Sequence, residues 1–317
     1  MKKDKIPIFI FLIFAVLLFV FVFYIFKQSF VLHSSLARFS QNDFLMTLQD
    51  NNFKDSQSVI IKLSEIFFEE NNFSHAVSQA DEVKAQDNVE AIIIPHHLVA
   101  SEFIAKLIKI SSGRDIDNVV IIGPNHKNIG TESLASAKAD WETPFGNLEH
   151  DNNLVQSFLR DFKAESYPEI FLHEHSIGGL APFVKYYLKD VQIVPIVVSS
   201  YADYADIDKL NKWLIQNLDE NSLVIFSLDF SHYLTKEESD EKDAETRDLI
   251  VRKDIGKILR LNNDYVDSPS ILALSLMYTE EKGLKINIIN HANSFDFAVV
   301  KPDSTTSYFA IIFESSN

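Results

Sequence analysis

Three apolar runs of this 317-residue chain each end in histidine: Ala91 to His97, Asn118 to His126 and Leu223 to His232. Imidazole is the commonest metal ligand and the usual proton shuttle near neutral pH. A short β-branched run bounded by Pro or Gly reads as a buried strand of a parallel sheet. In open α/β sheets, ligands bind outside the carboxyl ends of the strands. His96, His126 and His232 are therefore expected together at one edge of one sheet. The chain has no cysteine, which excludes disulfides, thiolate metal sites and thiolate nucleophiles. Its chemistry rests on histidine and carboxylate.

The elements that must deliver these residues alternate from Val89 onward. Strands are expected near 89–94, 118–123, 191–198, 222–227, 284–290 and 306–313. Helices are expected near 98–111, 151–162, 176–189, 206–218, 237–260 and 269–281. The last has a clear start, with Ser268 as N-cap and Pro269 at the first helical position. Such alternation predicts an α/β three-layer sandwich with a mixed, mostly parallel sheet. Upstream, Val59, Leu63, Ile66 and Phe67 recur at helical spacing, predicting a helix over 55–71. Thr143-Pro-Phe-Gly146 reads as a tight turn. No Gly-rich phosphate loop follows any strand, so nucleotide binding has no support. Asp and Glu outnumber Lys and Arg by 45 to 29, a net charge of −16. Without a basic patch, nucleic acid is not expected as a partner.

The N-terminus reads differently. Met1-Lys-Lys-Asp-Lys5 precedes an uncharged run from Ile6 to Phe26. At about 1.5 Å per residue this run spans roughly 30 Å, the thickness of a bilayer core. Lysines crowd its N-terminal flank, which puts that end in the cytoplasm. Residues 1–27 are thus expected to form a cytoplasmic tip and transmembrane signal anchor. Residues 28–71 then form a juxtamembrane stalk with a helix, and 72–317 the α/β domain. The expected localisation is single-pass in the membrane, with the domain extracytoplasmic.

The motifs also follow a particular order. Ile-Ile-Pro-His (93–96), Ile-Ile-Gly-Pro-Asn-His (121–126), Trp-Glu-Thr-Pro-Phe-Gly (141–146) and Glu-His-Ser-Ile (174–177) come first. Ile-Val-Pro-Ile-Val-Val (193–198), Ser-Leu-Asp-Phe-Ser-His (227–232), Ala-Asn-Ser (292–294) and Ser-Tyr (307–308) follow. That succession resembles the Memo family, called AmmeMemoRadiSam system protein B in bacteria and archaea, over about residues 89–313. The family is similar in fold to class III extradiol dioxygenases, which hold non-haem Fe(II) with two histidines and a carboxylate. Such a triad leaves positions open for substrate and oxygen.

The resemblance implies His96 and His126 as metal ligands and His232 as an acid/base group, with His175 lining the same pocket as a second catalytic candidate. Memo proteins place a Cys as third ligand, in a Cys-Gly-x-x-Pro stretch. Here that stretch is Tyr265-Val-Asp-Ser-Pro269. With Pro269 fixing the register, Tyr265 takes the Cys position; either Asp264 or Asp267 supplies a carboxylate instead, or the third ligand is lost and the metal is weakened or absent. The implied cofactor is Fe(II), other divalent metals being compatible. The implied activity is that of a non-haem iron oxidoreductase acting on a small-molecule or peptide ligand of unknown identity. The alternative is a non-catalytic scaffold that binds a ligand or protein through the same pocket. Asp229 is expected to orient an imidazole. His97 is expected to be structural or to support a ligand, and His150, His173 and His291 to be structural or exposed.

Overall fold

The computed structural model describes residues 61–64 and 66–316. Its strands are β1 (Ile61–Ser64), β2 (Val89–Ile94), β3 (Asn118–Pro124), β4 (Leu134–Ser136), β5 (Ala139–Thr143), β6 (Gly146–Leu148), β7 (Gln192–Val198), β8 (Ser222–Ser227), β9 (His232–Leu234), β10 (Lys285–Asn293) and β11 (Thr305–Glu314). The main sheet runs β10-β11-β2-β8-β3-β7-β4, with β9 added against β11. Its central four strands, β2, β8, β3 and β7, are parallel. The flanking pairings of β10, β11, β9 and β4 are antiparallel. The sheet is therefore mixed; the expected parallel majority holds only at its centre.

Period-two alternation explains why these runs are buried on both faces. On one face Val119 and Ile121 of β3, Leu223 and Ile225 of β8 and Ile312 of β11 join one core, packed under helices Glu70–Gln79, Ser101–Ile110 and Ala181–Leu188. On the other, Val120, Ile122, Val224, Phe226 and Ile311 join a second core under helices Asn152–Phe162, Tyr204–Asn217 and Pro269–Glu281. Three layers result. Because the central strands are parallel, the segments after Ile94, Pro124, Val198 and Ser227 all leave the same edge of the sheet.

Two expected helices divide. The segment expected at 237–260 ends its first helix at Arg252, where Lys253 adopts φ 53° as a left-handed C-cap, and Asp254 caps a new turn. The one at 176–189 becomes His175–Gly178 and Ala181–Leu188. The helix expected over 55–71 is corrected within the described residues. Ile61–Ser64 is a strand lying parallel to Ala139–Glu142, and the helix begins only at Glu70. Four residues carry too little periodicity to choose, and the open edge of β5 decides for strand. A small sheet, β1-β5-β6, results. The compact unit runs from Ile60 to Asn317, so this strand belongs to the domain.

The expected transmembrane helix and single-pass membrane localisation are also corrected. Among the described residues no helix is long and apolar enough to cross a membrane. The longest, Lys236–Arg252, has 17 residues and a mostly charged sequence, where a span needs about 20 apolar ones. The apolar run 6–26 lies outside the described residues. The fold is an α/β sandwich with no membrane-spanning helix among the described residues.

Candidate metal centre

The carboxyl edge of the central strands carries His96 just after β2, His126 just after β3 and Asp229 just after β8. The short helix His175–Gly178 adds His175. His96, His126 and His175 each offer a ring nitrogen, and these nitrogens lie within 4.8 Å of one another. The His126 and His175 rings stack, with centroids 4.3 Å apart. His96 meets both edge-on at 5.0 Å. Helix His175–Gly178 can approach because residue 123 is glycine: a Cβ there would come within 2.5 Å of Ser176 Oγ.

The ring nitrogen that His96 and His126 each leave open is set by what the other nitrogen touches. His96 Nδ1 lies 3.0 Å from Ser227 Oγ, whose single proton goes to the Ser176 carbonyl at 2.6 Å. His96 Nδ1–H must therefore be the donor, which leaves Nε2 to accept a metal or a second proton. His126 Nδ1 donates to Glu174 Oε1 at 2.8 Å, so its Nε2 is likewise the free atom. Glu174 also accepts the His126 and Ser176 backbone N–H groups, each at 3.0 Å. Burial pushes the Glu174 carboxyl up, but the His126 ring and these N–H donors outweigh it and bring its pKa to about 2. A carboxylate behind a ligand imidazole fixes its tautomer and raises its basicity.

Asp267 reaches the same spot. Its Oδ2 lies 3.2 Å from His96 Nε2 and 3.9 Å from His126 Nε2. Backbone pairing of Phe230 with Val266 brings it there. The Asp229 N–H donates to Asp267 Oδ2, and the Asp267 N–H returns the bond to the Asp229 carbonyl. Asp229 Oδ1 accepts the backbone N–H groups of His96 and His97 at 3.1 and 3.4 Å. It holds the ligand loop more than it orients a ring, although its Oδ2 stands 3.5 Å from His96 Nε2.

The electrostatics are those of a cation site. Burial lowers the His96 pKa, yet Asp229, Asp267 and Glu174 raise it overall, to about 9. Burial, with His96 and His126 beside it, drives the His175 pKa down to about 4, leaving a neutral imidazole at pH 7. Two buried atoms here have no aligned hydrogen-bond partner among the described residues: His96 Nε2 and Asp267 Oδ1. Left unsatisfied, Asp267 Oδ1 costs about 1–3 kcal/mol, while His96 Nε2 faces the carboxylates of Asp267 and Asp229 without an aligned bond. A divalent cation held by these residues would engage both, so the residues fit the implied metal.

The other candidates lie elsewhere. Asp264 is exposed, with its carboxylate against the Asn262 amide. Tyr265 does not take the third-ligand position; its hydroxyl sits between Lys242 and Glu245. His232 is outside the trio, its Nδ1–H donating to the Phe230 carbonyl. His97 is bonded to the buried Tyr308 hydroxyl at 2.7 Å. Burial lowers the His97 pKa against the pull of Asp229, and His96 and His232 lower it further. His150 pairs with Asp140 and His291 with Asp243, both away from the site. Sequence reasoning assigned no role to Glu174 or Ser227. The one available signal was their position, Glu174 immediately before His175 and Ser227 at the end of a strand run.

Fold and site define a class: an α/β protein whose parallel strands present a histidine and carboxylate cluster suited to a divalent cation. The family model described as Memo-like protein matches residues 68–312, and the chain belongs to that family. A MEMO1 family protein of Pyrobaculum arsenaticum is 31% identical over 206 residues, 62% of this chain and 72% of that one. One of Saccharolobus islandicus strain L.S.2.15 is 28% identical over 262 residues, 77% of this chain and 91% of that one. A crystal structure of an uncharacterized Escherichia coli K12 protein covers 71% of this chain and 99% of its own, with 11% identity and a TM-score of 0.47. That likeness is too loose to bear on function.

Proposed function

We propose that the protein works through a divalent cation held by His96, His126 and Asp267, with His175 as a further donor. The observation that carries this reading is the cluster of three imidazole nitrogens within 4.8 Å of one another, with the Asp267 carboxylate 3.2 Å from His96 Nε2 and its other oxygen, Oδ1, buried without a hydrogen-bond partner among the described residues. Imidazole with carboxylate suits borderline divalent metals, and two histidines with one carboxylate is the set used by non-haem iron(II) oxygenases. Bound here, such a metal would supply a Lewis acid and, as iron(II), a centre reactive towards oxygen.

The chain's own groups prepare the site for it. Ser227 and Glu174 hold the tautomers of His96 and His126. Asp229 fixes the backbone of His96 and the position of Asp267. His232 gives its Nδ1–H to the Phe230 carbonyl, so its basic atom is Nε2. That supports a proton-accepting role towards an acidic ligand such as a phenol. The finer reading is an iron-dependent oxidoreductase of extradiol type.

Metal analysis of the full-length protein, purified anaerobically and then reconstituted with Fe(II), Mn(II) or Zn(II), tests this. The expected result is stoichiometric metal that is lost in His96→Ala and Asp267→Ala. Protein that takes up no metal overturns the reading and leaves the ligand- or protein-binding scaffold in its place.

A further inference from the structure

The turn Thr143-Pro-Phe-Gly146 takes no part in the metal centre, yet it is built to hold an aromatic ring in place. The Phe145 N–H donates to Thr143 Oγ1 at 3.2 Å, and that hydroxyl donates to the Gly146 carbonyl at 2.7 Å. Gly146 closes the turn at φ 111°, a value that a side chain would resist. Phe145 is thus held at the tip of the β5-β6 hairpin, 37% exposed, where turns ordinarily carry small or polar residues.

The ring borders a cavity of about 560 Å³, within the range of small-molecule sites. One wall is a stripe of helix Glu70–Gln79, running from Glu70 at its start to Asp81 just past its end. Phe68, Phe73 and Tyr186 are the other lining rings. Phe145 stacks on Phe73 with centroids 4.7 Å apart. It meets Phe68 and Tyr186 edge-on at 6.0 and 5.0 Å, with interplanar angles of 78° and 67°. Rings set nearly at right angles make a corner instead of a flat patch. Tyr186 is as exposed as Phe145, so both leave aromatic surface open to an occupant. No lining residue belongs to the histidine cluster.

Two independent features set the sign of that occupant. Aromatic faces carry a negative quadrupole and attract a cation within about 6 Å of the ring centroid. Glu70 and Asp81 add one exposed carboxylate at each end of the helical wall, and among the described residues neither is paired with a Lys or Arg. No Lys, Arg or His lines the cavity. Lys109 and Lys185, close by, spend their ammonium groups on the carbonyls of Asp81 and Lys189. Burial first, then Tyr186 and Asp81, push the neighbouring Tyr187 hydroxyl up to about 12, so negative charge is felt among the rings. A primary ammonium would give up its strong hydration to rings that accept hydrogen bonds poorly. A methylated one carries its charge on methyl groups and has little hydration to lose.

We propose that this cavity binds a small organic cation with a methylated ammonium head, its methyl groups against Phe145, Tyr186 and Phe68 and its charge balanced by Glu70 and Asp81. The assignment stands apart from the metal-centre reading.

Calorimetry on the full-length protein tests it, comparing choline with dimethylbutanol, its uncharged isostere, and with ethanolamine, its unmethylated form. Choline is expected to bind about tenfold or more tightly than either. Phe145→Leu and Tyr186→Leu keep apolar bulk and remove a ring. Each is expected to weaken choline about tenfold and leave dimethylbutanol unchanged. Glu70→Gln with Asp81→Asn changes only exposed groups, so the fold is kept, and is expected to weaken choline about tenfold as well. Choline binding no tighter than dimethylbutanol, or unchanged in the Leu variants or in the carboxylate variant, overturns the assignment. Tighter binding of a trimethyl-lysine peptide than of choline also overturns it, giving the cavity to a protein partner.

Discussion

Glu174→Gln keeps the shape of a side chain that lies 3% exposed between His126 and the short helix, and removes its charge. Glu174 accepts three hydrogen bonds, two on Oε1 and one on Oε2. A glutamine oxygen at the Oε1 position keeps two of them. Its NH2 group then faces the His126 backbone N–H, donor against donor. That loses one bond, leaves a donor buried and takes the charge from the other two, a cost of about 2–3 kcal/mol. The pKa gives a similar size: a carboxyl brought to about 2 from an ordinary 4.5 stabilises the fold by on the order of 3 kcal/mol at neutral pH. The folded pKa lies below the unfolded one. The contribution is therefore complete above about pH 4.5 and fades as pH falls towards 2. Urea unfolding at pH 7 should show the variant less stable by this amount, and the gap should narrow at about pH 3.5. Metal affinity should fall about 10- to 100-fold with the loss of the carboxylate behind His126. A gap below about 0.5 kcal/mol at pH 7, or one that widens on acidification, refutes the reasoning.

Two further outcomes follow from the same packing. Ser227→Ala strands the His96 Nδ1–H and the Ser176 carbonyl in a dry environment. It should cost about 1–3 kcal/mol in chemical denaturation and weaken metal binding about tenfold by competitive chelator titration. Gly123→Ala puts a methyl within 2.5–2.7 Å of Ser176, which overpacks the contact by about 1–3 kcal/mol. It should displace His175, so the variant should lose metal affinity along with stability, whereas Ala at exposed Gly256 should change neither appreciably.

The long strands were legible in the sequence because both sheet faces are buried, so β2, β3, β7 and β8 read as unbroken apolar runs with punctuated ends. Helix Pro269–Glu281 was legible from its cap. β4, β6 and β9 were not, since three residues carry no period. β1 was misread because its partner β5 lies more than seventy residues away in the chain. At the site, strand ends announced His96 and His126. The choice between Asp264 and Asp267 turned on backbone pairing of Phe230 with Val266, which no local pattern contains. The Glu174 contact to His126 spans 48 residues and was invisible for the same reason.

Strand order also dictates when the site can come into being. β2 and β3 do not touch; β8 lies between them and pairs with both. His96 and His126 lie only thirty residues apart in the chain, yet the strands that carry them are set in register through residues 222–227, which pair with both. Ser227, the hydroxyl that fixes the His96 tautomer, closes that same strand, and Asp267 comes later still. A nascent chain holding both early histidines lacks the strand that sets their spacing, so the cluster is complete only once Ser227 and Asp267 have been made.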